Sequence, residues 1–155
     1  MAVHPSFITL EKALASHRIG NAREALAMSA AASRMVNEIP GAPPDAAIVG
    51  SWYGLMLGTV EGRIGEGMVL CRDAVRKMFW EPRAHENLAR LEIAAGLRKQ
   101  AIQTLARGLS LAPDDREMKS LRASLGTRRR PTVGFLDRSH PINRWVGLLT
   151  TRPEG

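Results

Sequence analysis

The residues of this sequence that could bind a metal ion or act as nucleophiles are few and far apart. Histidine occurs at positions 4, 17, 85 and 140, and the single cysteine is Cys71. Zinc motifs place such residues roughly two to five positions apart, and no histidine here has a second histidine or the cysteine at that distance. His85 and Glu86 are adjacent, but no second histidine completes a zinc motif. The histidines are therefore expected to be surface or capping residues, and Cys71 a buried, inert thiol.

The stretch GRIGEG at 62–67 is the closest approach to a phosphate-binding loop. It lacks the Lys-Ser or Lys-Thr pair and the preceding strand that such a loop needs. Glu61 and Glu66 flank it and are expected to be solvated or to cap a helix. No Ser-His-Asp arrangement follows from spacing alone. The sequence thus predicts no enzyme, no catalytic residue, no metal and no cofactor, and an enzyme would need a cleft of converging, perturbed acids.

Composition indicates one helical domain. The chain has 155 residues, of which 45% are apolar and only 5% aromatic. This is enough to bury a single core, and scarce aromatics with abundant Ala, Leu and Arg favour an all-α protein. No run of about 18 apolar residues could span a membrane, and the N-terminus lacks the basic start and apolar run of a secretory signal. With a lone cysteine, these features predict a cytoplasmic protein.

A repeat organises most of the chain. Three segments align on a glycine, at Gly20, Gly62 and Gly96, each with a small residue five and twelve positions later. The last two glycines are 34 residues apart and the first two 42, which places an insertion around EIPGAPPD at 38–45. Apolar residues recur at intervals of three and four on both sides of each glycine, as in two helices joined by a tight turn. Such units must stack, because one helical pair cannot bury its own apolar face.

The helix pattern predicts seven helices, near 6–18, 22–37, 45–61, 64–79, 83–95, 98–111 and 114–125. The first six form repeats at about 6–40, 45–82 and 83–113. The seventh is a cap at 114–125 with a polar face, and Asp114 or Asp115 is expected to begin it. We therefore expect a repeat domain over 1–126 and a basic, partly apolar extension over 127–155.

This pattern resembles the tetratricopeptide repeat family. The clearest match is the segment 87–113, where seven residues fall on the family's signature columns: Leu88, Ala89, Gly96, Ala101, Leu105, Gly108 and Pro113. Gly54 stands where the family has a leucine, Lys12 occupies the same column in the first unit, and Glu92 replaces a usual aromatic. The resemblance implies an all-α, right-handed α-solenoid of about three helix-turn-helix repeats. Beyond the capping helix, the residues themselves predict an extended tail with a short final helix.

The resemblance also implies a concave groove lined by the first helix of each repeat. The candidate partner-binding residues in this groove are Trp52, Met56, Thr59, Arg83, Glu86 and Arg90. They would accept an extended or helical peptide that carries an acidic residue and an apolar anchor. As alternatives, Trp52 and Met56 are core between repeats, and the two arginines belong to a solvated face. Phe79 and Trp80 are expected to pack in the seam between repeats.

The formal net charge of +7 and the pI near 10.7 favour acidic partners over basic ones. The arginines are spread along the chain, which is weak support for a nucleic-acid footprint. The extension has three possible roles: folding back on the repeats, docking on a partner, or binding nucleic acid. Its docking candidates are Arg128, Arg129, Arg130, Phe135, Leu136 and Trp145.

The function predicted is a non-catalytic protein–protein interaction module, an adaptor or scaffold that binds a peptide or protein through the groove and the tail. The alternative is a nucleic-acid-associated protein that binds phosphates through its arginine-rich C-terminal part. Binding that weakens steeply as salt rises would distinguish the second from the first. No small-molecule substrate is predicted.

Overall fold

A computed structural model of the protein describes residues 4–38, 40, 42 and 46–126, and all regular structure in these residues is helical. The helices are α1 Pro5–Arg18, α2 Ala22–Asn37, α3 Ala47–Val60, α4 Ile64–Lys77, α5 Pro82–Ala94, α6 Arg98–Leu111 and α7 Arg116–Ser124. Each predicted boundary lies within two residues of the observed one. The all-α solenoid class is confirmed, and the short final helix expected in the tail lies outside the described residues.

Local chemistry explains where several helices begin. Pro5 and Pro82 open α1 and α5, where the missing N–H is harmless. The His4 ring Nδ1 accepts a hydrogen bond from the Ser6 N–H at 3.2 Å, so the predicted capping role is confirmed for this histidine. Of the two candidate caps for α7, Asp115 is the one used, because its side chain accepts from the Met118 N–H at 2.9 Å.

The turn glycines of the three repeats share one backbone conformation. Gly20, Gly62 and Gly96 have φ values of 84°, 71° and 72°, a region that side-chain-bearing residues rarely adopt. Each glycine lies two residues after the end of the first helix of a hairpin, and the second helix begins two residues after the glycine. The glycine alignment in the sequence therefore reflects a backbone requirement.

The helices pack as hairpins α1–α2, α3–α4 and α5–α6, with α3 against α2 and α5, and α7 against α6. Three core clusters follow one another along the stack. The first joins α1, α2 and α3, the second joins α2 to α5, and the third joins α5, α6 and α7. The first helices α1, α3, α5 and α7 thus lie in sequence along the stack, and they carry the predicted binding residues.

Candidate functional site

The first helix of the third repeat, α5, carries the best-organised polar group of the predicted set. Glu86 is only 2% exposed, whereas the side chains of Arg83 and Arg90 are 48% and 36% exposed. The spacing of three and four residues brings both arginines beside Glu86. Arg83 donates to one carboxylate oxygen at 2.5 Å, and Arg90 donates to the other at 2.7 Å. Glu86 is thus a buried anchor that orients two guanidinium groups.

The protonation of Glu86 follows from these contacts. Burial raises the pKa of Glu86, but the hydrogen bonds from Arg90 and Arg83 outweigh it and hold the pKa below its ordinary value. The hydrogen bond to Glu86 in turn raises the pKa of Arg83. Glu86 is therefore ionised near neutral pH, and its carboxylate makes one charge-assisted hydrogen-bonded group with the two arginines.

The capping helix α7 adds two further carboxylates to this group. Glu117 accepts a hydrogen bond from Arg90, and Asp115 lies 3.9 Å from the Arg83 guanidinium. Two guanidinium groups therefore face three carboxylates, and the arginines are engaged rather than free. Glu117 and Asp115 were absent from the predicted site because they lie 27 and 32 residues away from these arginines in the sequence. One feature of the sequence could have indicated their proximity: α7 follows the third hairpin and so takes the place that the first helix of a fourth repeat would have.

Two predicted groove residues are corrected. Met56 is 1% exposed and belongs to the core cluster with Leu55, Cys71 and Leu91, because it faces the neighbouring helices of the next repeat. Glu86 is equally buried, so it can position other groups but cannot reach a partner. Among the predicted groove residues, the ones accessible to solvent are therefore Trp52, Thr59, Arg83 and Arg90.

On α3, the accessible residues are Thr59 and part of Trp52. Thr59 is exposed, and its hydroxyl donates to the Leu55 carbonyl at 2.8 Å. Trp52 is half-buried and packs against the first and the second core clusters. The alternative in which Trp52 contributes to the core between repeats is therefore supported for its buried part. The tail candidates Arg128, Arg129, Arg130, Phe135, Leu136 and Trp145 lie outside the described residues.

A small polar cluster lies inside the second and third repeats. Cys71 is fully buried, and burial raises the pKa of its thiol to about 12, which confirms an inert thiol. The thiol donates to the Ser51 carbonyl at 3.3 Å, and the Asn87 amide donates to the Ser51 hydroxyl at 3.1 Å. Among the described residues, no group of three or more His, Cys, Asp and Glu side chains could hold a metal ion.

Glu92, on the same helix as Asn87, is one of the buried residues that carry an unpartnered polar atom. It is 4% exposed, and its Oε2 atom has no hydrogen-bond partner among the described residues. A buried polar group without a partner is unfavourable by roughly 1–3 kcal/mol.

We expect Glu92→Leu to raise the free energy of unfolding by about 1–3 kcal/mol, measured by urea denaturation. Glu11→Leu, at an exposed position on α1, is the control, and a Glu92→Leu variant less stable than wild type would contradict the expectation.

The turn between α4 and α5 departs from its predicted packing. Met78 takes the buried place at 5% exposed, and the next two residues point outward: Phe79 is 66% exposed and Trp80 is 50% exposed. Their rings meet edge to face with centroids 5.0 Å apart. His85, predicted to be a surface or capping residue, is buried at 3% and donates from Nε2 to the Phe79 carbonyl at 2.9 Å. The aromatic pair is thus an exposed feature on an anchored turn, not a seam between repeats.

Comparison with known proteins agrees with this architecture. Residues 61–125 match the family model described as Tetratricopeptide repeat. Among solved structures, the tetratricopeptide repeat domain of Arabidopsis OM64 superimposes with a TM-score of 0.62 and 14% sequence identity, covering 79% of this chain and 94% of that one. None of the curated proteins compared with the chain matches it. The family match covers the second helix of the second hairpin, the third repeat and α7, the fold match extends over most of the chain, and the chain therefore has the fold of a tetratricopeptide repeat domain.

Proposed function

We propose that this protein is a non-catalytic adaptor or scaffold of the cytoplasm that binds a protein partner through its first-helix surface. By first-helix surface we mean the accessible residues Trp52, Thr59, Arg83 and Arg90. Tetratricopeptide repeat domains are in general protein–protein interaction modules, which supports the broader part of the proposal. The observation that carries the finer part is the pair of arginines oriented by the buried Glu86. Such preorganised donors lose little conformational entropy when a ligand binds.

The partner that this surface fits best carries an acidic side chain next to an apolar one. Glu117 already shows how a carboxylate meets Arg90 from the solvent side. Its side chain is 61% exposed, so it can leave at small cost and make room for the partner's carboxylate. Arg90 would keep its orientation because its bonds to Glu86 remain. The accessible part of Trp52 on the neighbouring first helix offers a contact for the apolar residue.

This mechanism predicts that Glu117→Gln strengthens partner binding. An exposed ion pair contributes about 0.2–1 kcal/mol, so removing the competitor should lower Kd by up to about fivefold. Partners captured from native cytoplasm by the full chain would be quantified by mass spectrometry, and the Kd of the strongest one measured by titration. Asp114→Asn, which removes another exposed carboxylate beside the same helix, is the matched control. Equal or weaker binding by the Glu117→Gln variant would refute the competition.

A second readout tests the surface itself. A photo-crosslinking residue at Thr59 should label the captured partner, whereas the same residue at Val69, an exposed position on α4, should not. Both positions are solvent-exposed, so the comparison does not depend on accessibility. Labelling from Val69 alone would move the protein-binding surface to the second helices.

A further inference from the structure

Exposed apolar side chains are unevenly distributed over this protein. Seven large apolar residues are exposed in the part of the chain that the structure describes, and two of them, Ile8 and Ile19, belong to α1 or the turn after it. The other five lie on the second helices or directly after them: Met35, Val69, Phe79, Trp80 and Leu111. Scattered exposed apolar residues are ordinary, so this concentration on one set of helices is informative only together with a second feature of the same helices.

The same helices concentrate positive charge. Together α2, α4 and α6 contain eight Arg and Lys residues and three acidic residues, a net charge of +5. Glu66 and Asp73 are paired with neighbouring arginine or lysine side chains, and Glu24 bonds to Ser16 and Asn21. Within residues 4–38, 40, 42 and 46–126, five exposed cations on these helices have no acidic partner: Arg23, Arg34, Arg72, Lys99 and Arg107.

The repeat places several cations of these helices on one face. Arg34 and Arg76 are 42 residues apart, the same offset as the turn glycines of their two units, so they hold equivalent positions on α2 and α4. Arg23 and Lys99 are likewise equivalent in the first and third units. Equivalent positions of stacked hairpins face the same way. Val69 lies on the same stripe of α4 as Arg76.

We propose that this second-helix surface, the exposed residues of α2, α4 and α6 and of the turn after α4, binds peripherally to an anionic lipid bilayer. The arginines and lysine would contact headgroup phosphates, and Trp80 with Phe79 would enter the interface between headgroups and acyl chains. The inference goes beyond the proposed function and uses a different surface. No helix among the described residues is long and apolar enough to cross a membrane, so the contact proposed is at the surface.

Two features favour a lipid surface over other acidic partners. The unpaired charges have one sign across three helices, which suits a surface that is negative throughout. A nucleic acid would engage the cations but would leave Val69, Trp80 and Leu111 in water. Trp is the side chain that membrane interfaces favour, since one end is apolar and the other polar.

The aromatic pair is also presented rigidly. The Phe79 carbonyl is held by the buried His85, and Glu81 accepts from the Arg83 N–H at 3.1 Å to begin α5. Pro82 follows immediately and restricts the backbone. Insertion of Trp80 therefore needs little ordering of the turn, which favours binding.

The test uses the full chain and large vesicles, either of phosphatidylcholine alone or containing phosphatidylserine. We expect co-sedimentation with the anionic vesicles only. In a Trp52→Phe/Trp145→Phe variant, Trp80 is the remaining tryptophan, and its emission should shift to the blue and be quenched by brominated acyl chains. Arg72→Glu/Arg107→Glu and Phe79→Ser/Trp80→Ser should each lower the partition coefficient at least tenfold. Lys12→Glu/Arg18→Glu, the same charge change on α1, should lower it much less.

Circular dichroism and thermal melting would establish that each variant is folded. Three outcomes would overturn the proposal: equal losses in the two charge-reversed variants, unchanged binding by Arg72→Glu/Arg107→Glu, or binding of a duplex DNA fragment without binding of vesicles. The first would mean attraction by net charge, the second binding by another segment, and the third a nucleic-acid surface. None of these outcomes bears on the crosslinking from Thr59, so the two proposals fail independently.

Discussion

Replacing Arg83 and Arg90 together by methionine is expected to lower the free energy of unfolding by about 3–5 kcal/mol, the range found when a buried ion pair loses one partner. Methionine keeps much of the apolar stem and its packing, so the loss reports the charge. Glu86, which is 2% exposed in the wild type, would lose both of its guanidinium donors. Urea denaturation followed by far-UV circular dichroism measures the effect.

A rescue variant separates the charge effect from simple damage. Adding Glu86→Leu to the double variant should restore most of the lost stability, because well-packed apolar residues often replace a buried ion group without penalty. The control is Arg76→Met/Lys77→Met, which removes two cations from Asp73, a carboxylate that is 34% exposed. Exposed pairs contribute little, so this control should change stability by less than about 1 kcal/mol per pair. If adding Glu86→Leu restores no stability to the double variant, the buried charge of Glu86 is not the cause of the lost stability.

The same group makes stability depend on pH in the acid range. The pKa of Glu86 is lower in the folded state than its ordinary value of about 4.3. Its stabilising contribution is therefore fully present above that ordinary value and is lost as the pH falls through the folded-state pKa. The triple variant with Glu86→Leu lacks this carboxylate. Its unfolding midpoint should accordingly fall less steeply than that of the wild type as the pH is lowered from about 5.

The helices could be predicted from the repeat, because a tight turn with positive φ needs glycine and the regularly spaced glycines can be recognised in the sequence. Periodicity also placed Arg83, Glu86 and Arg90 on one stripe of α5. It could not show that Glu86 lies beneath the two arginines, since burial depends on how closely the neighbouring helices approach. The exposure of Trp80 could not be predicted from the sequence either. It follows from Met78 taking the one buried place at the end of α4, a choice made by tertiary packing.

Gly54 shows how a departure from the family pattern can have a structural reason. The family has a leucine at this position, yet α3 and α4 share the most extensive helix contact in the described chain. A Cβ atom added to Gly54 would lie 2.7 Å from the carbonyl oxygen of Gly67. One added to Gly67 would collide with the carbonyl oxygen of Gly54. The two glycines therefore form one feature, which lets the two helix backbones touch.

Gly67→Ala is consequently expected to destabilise the protein by about 1–3 kcal/mol or more, in the manner of an overpacked core. Alanine is the better helix former by about 1 kcal/mol, so the measured loss is what remains after that gain. Gly50→Ala, on α3 but with nothing within 4 Å of the added Cβ, is the control and should stabilise by up to about 1 kcal/mol. Urea denaturation of both variants gives the difference, and equal stabilities would mean that α3 and α4 do not approach this closely. A loss confined to Gly67→Ala would instead make close backbone contact, rather than a leucine, the device that joins the second hairpin.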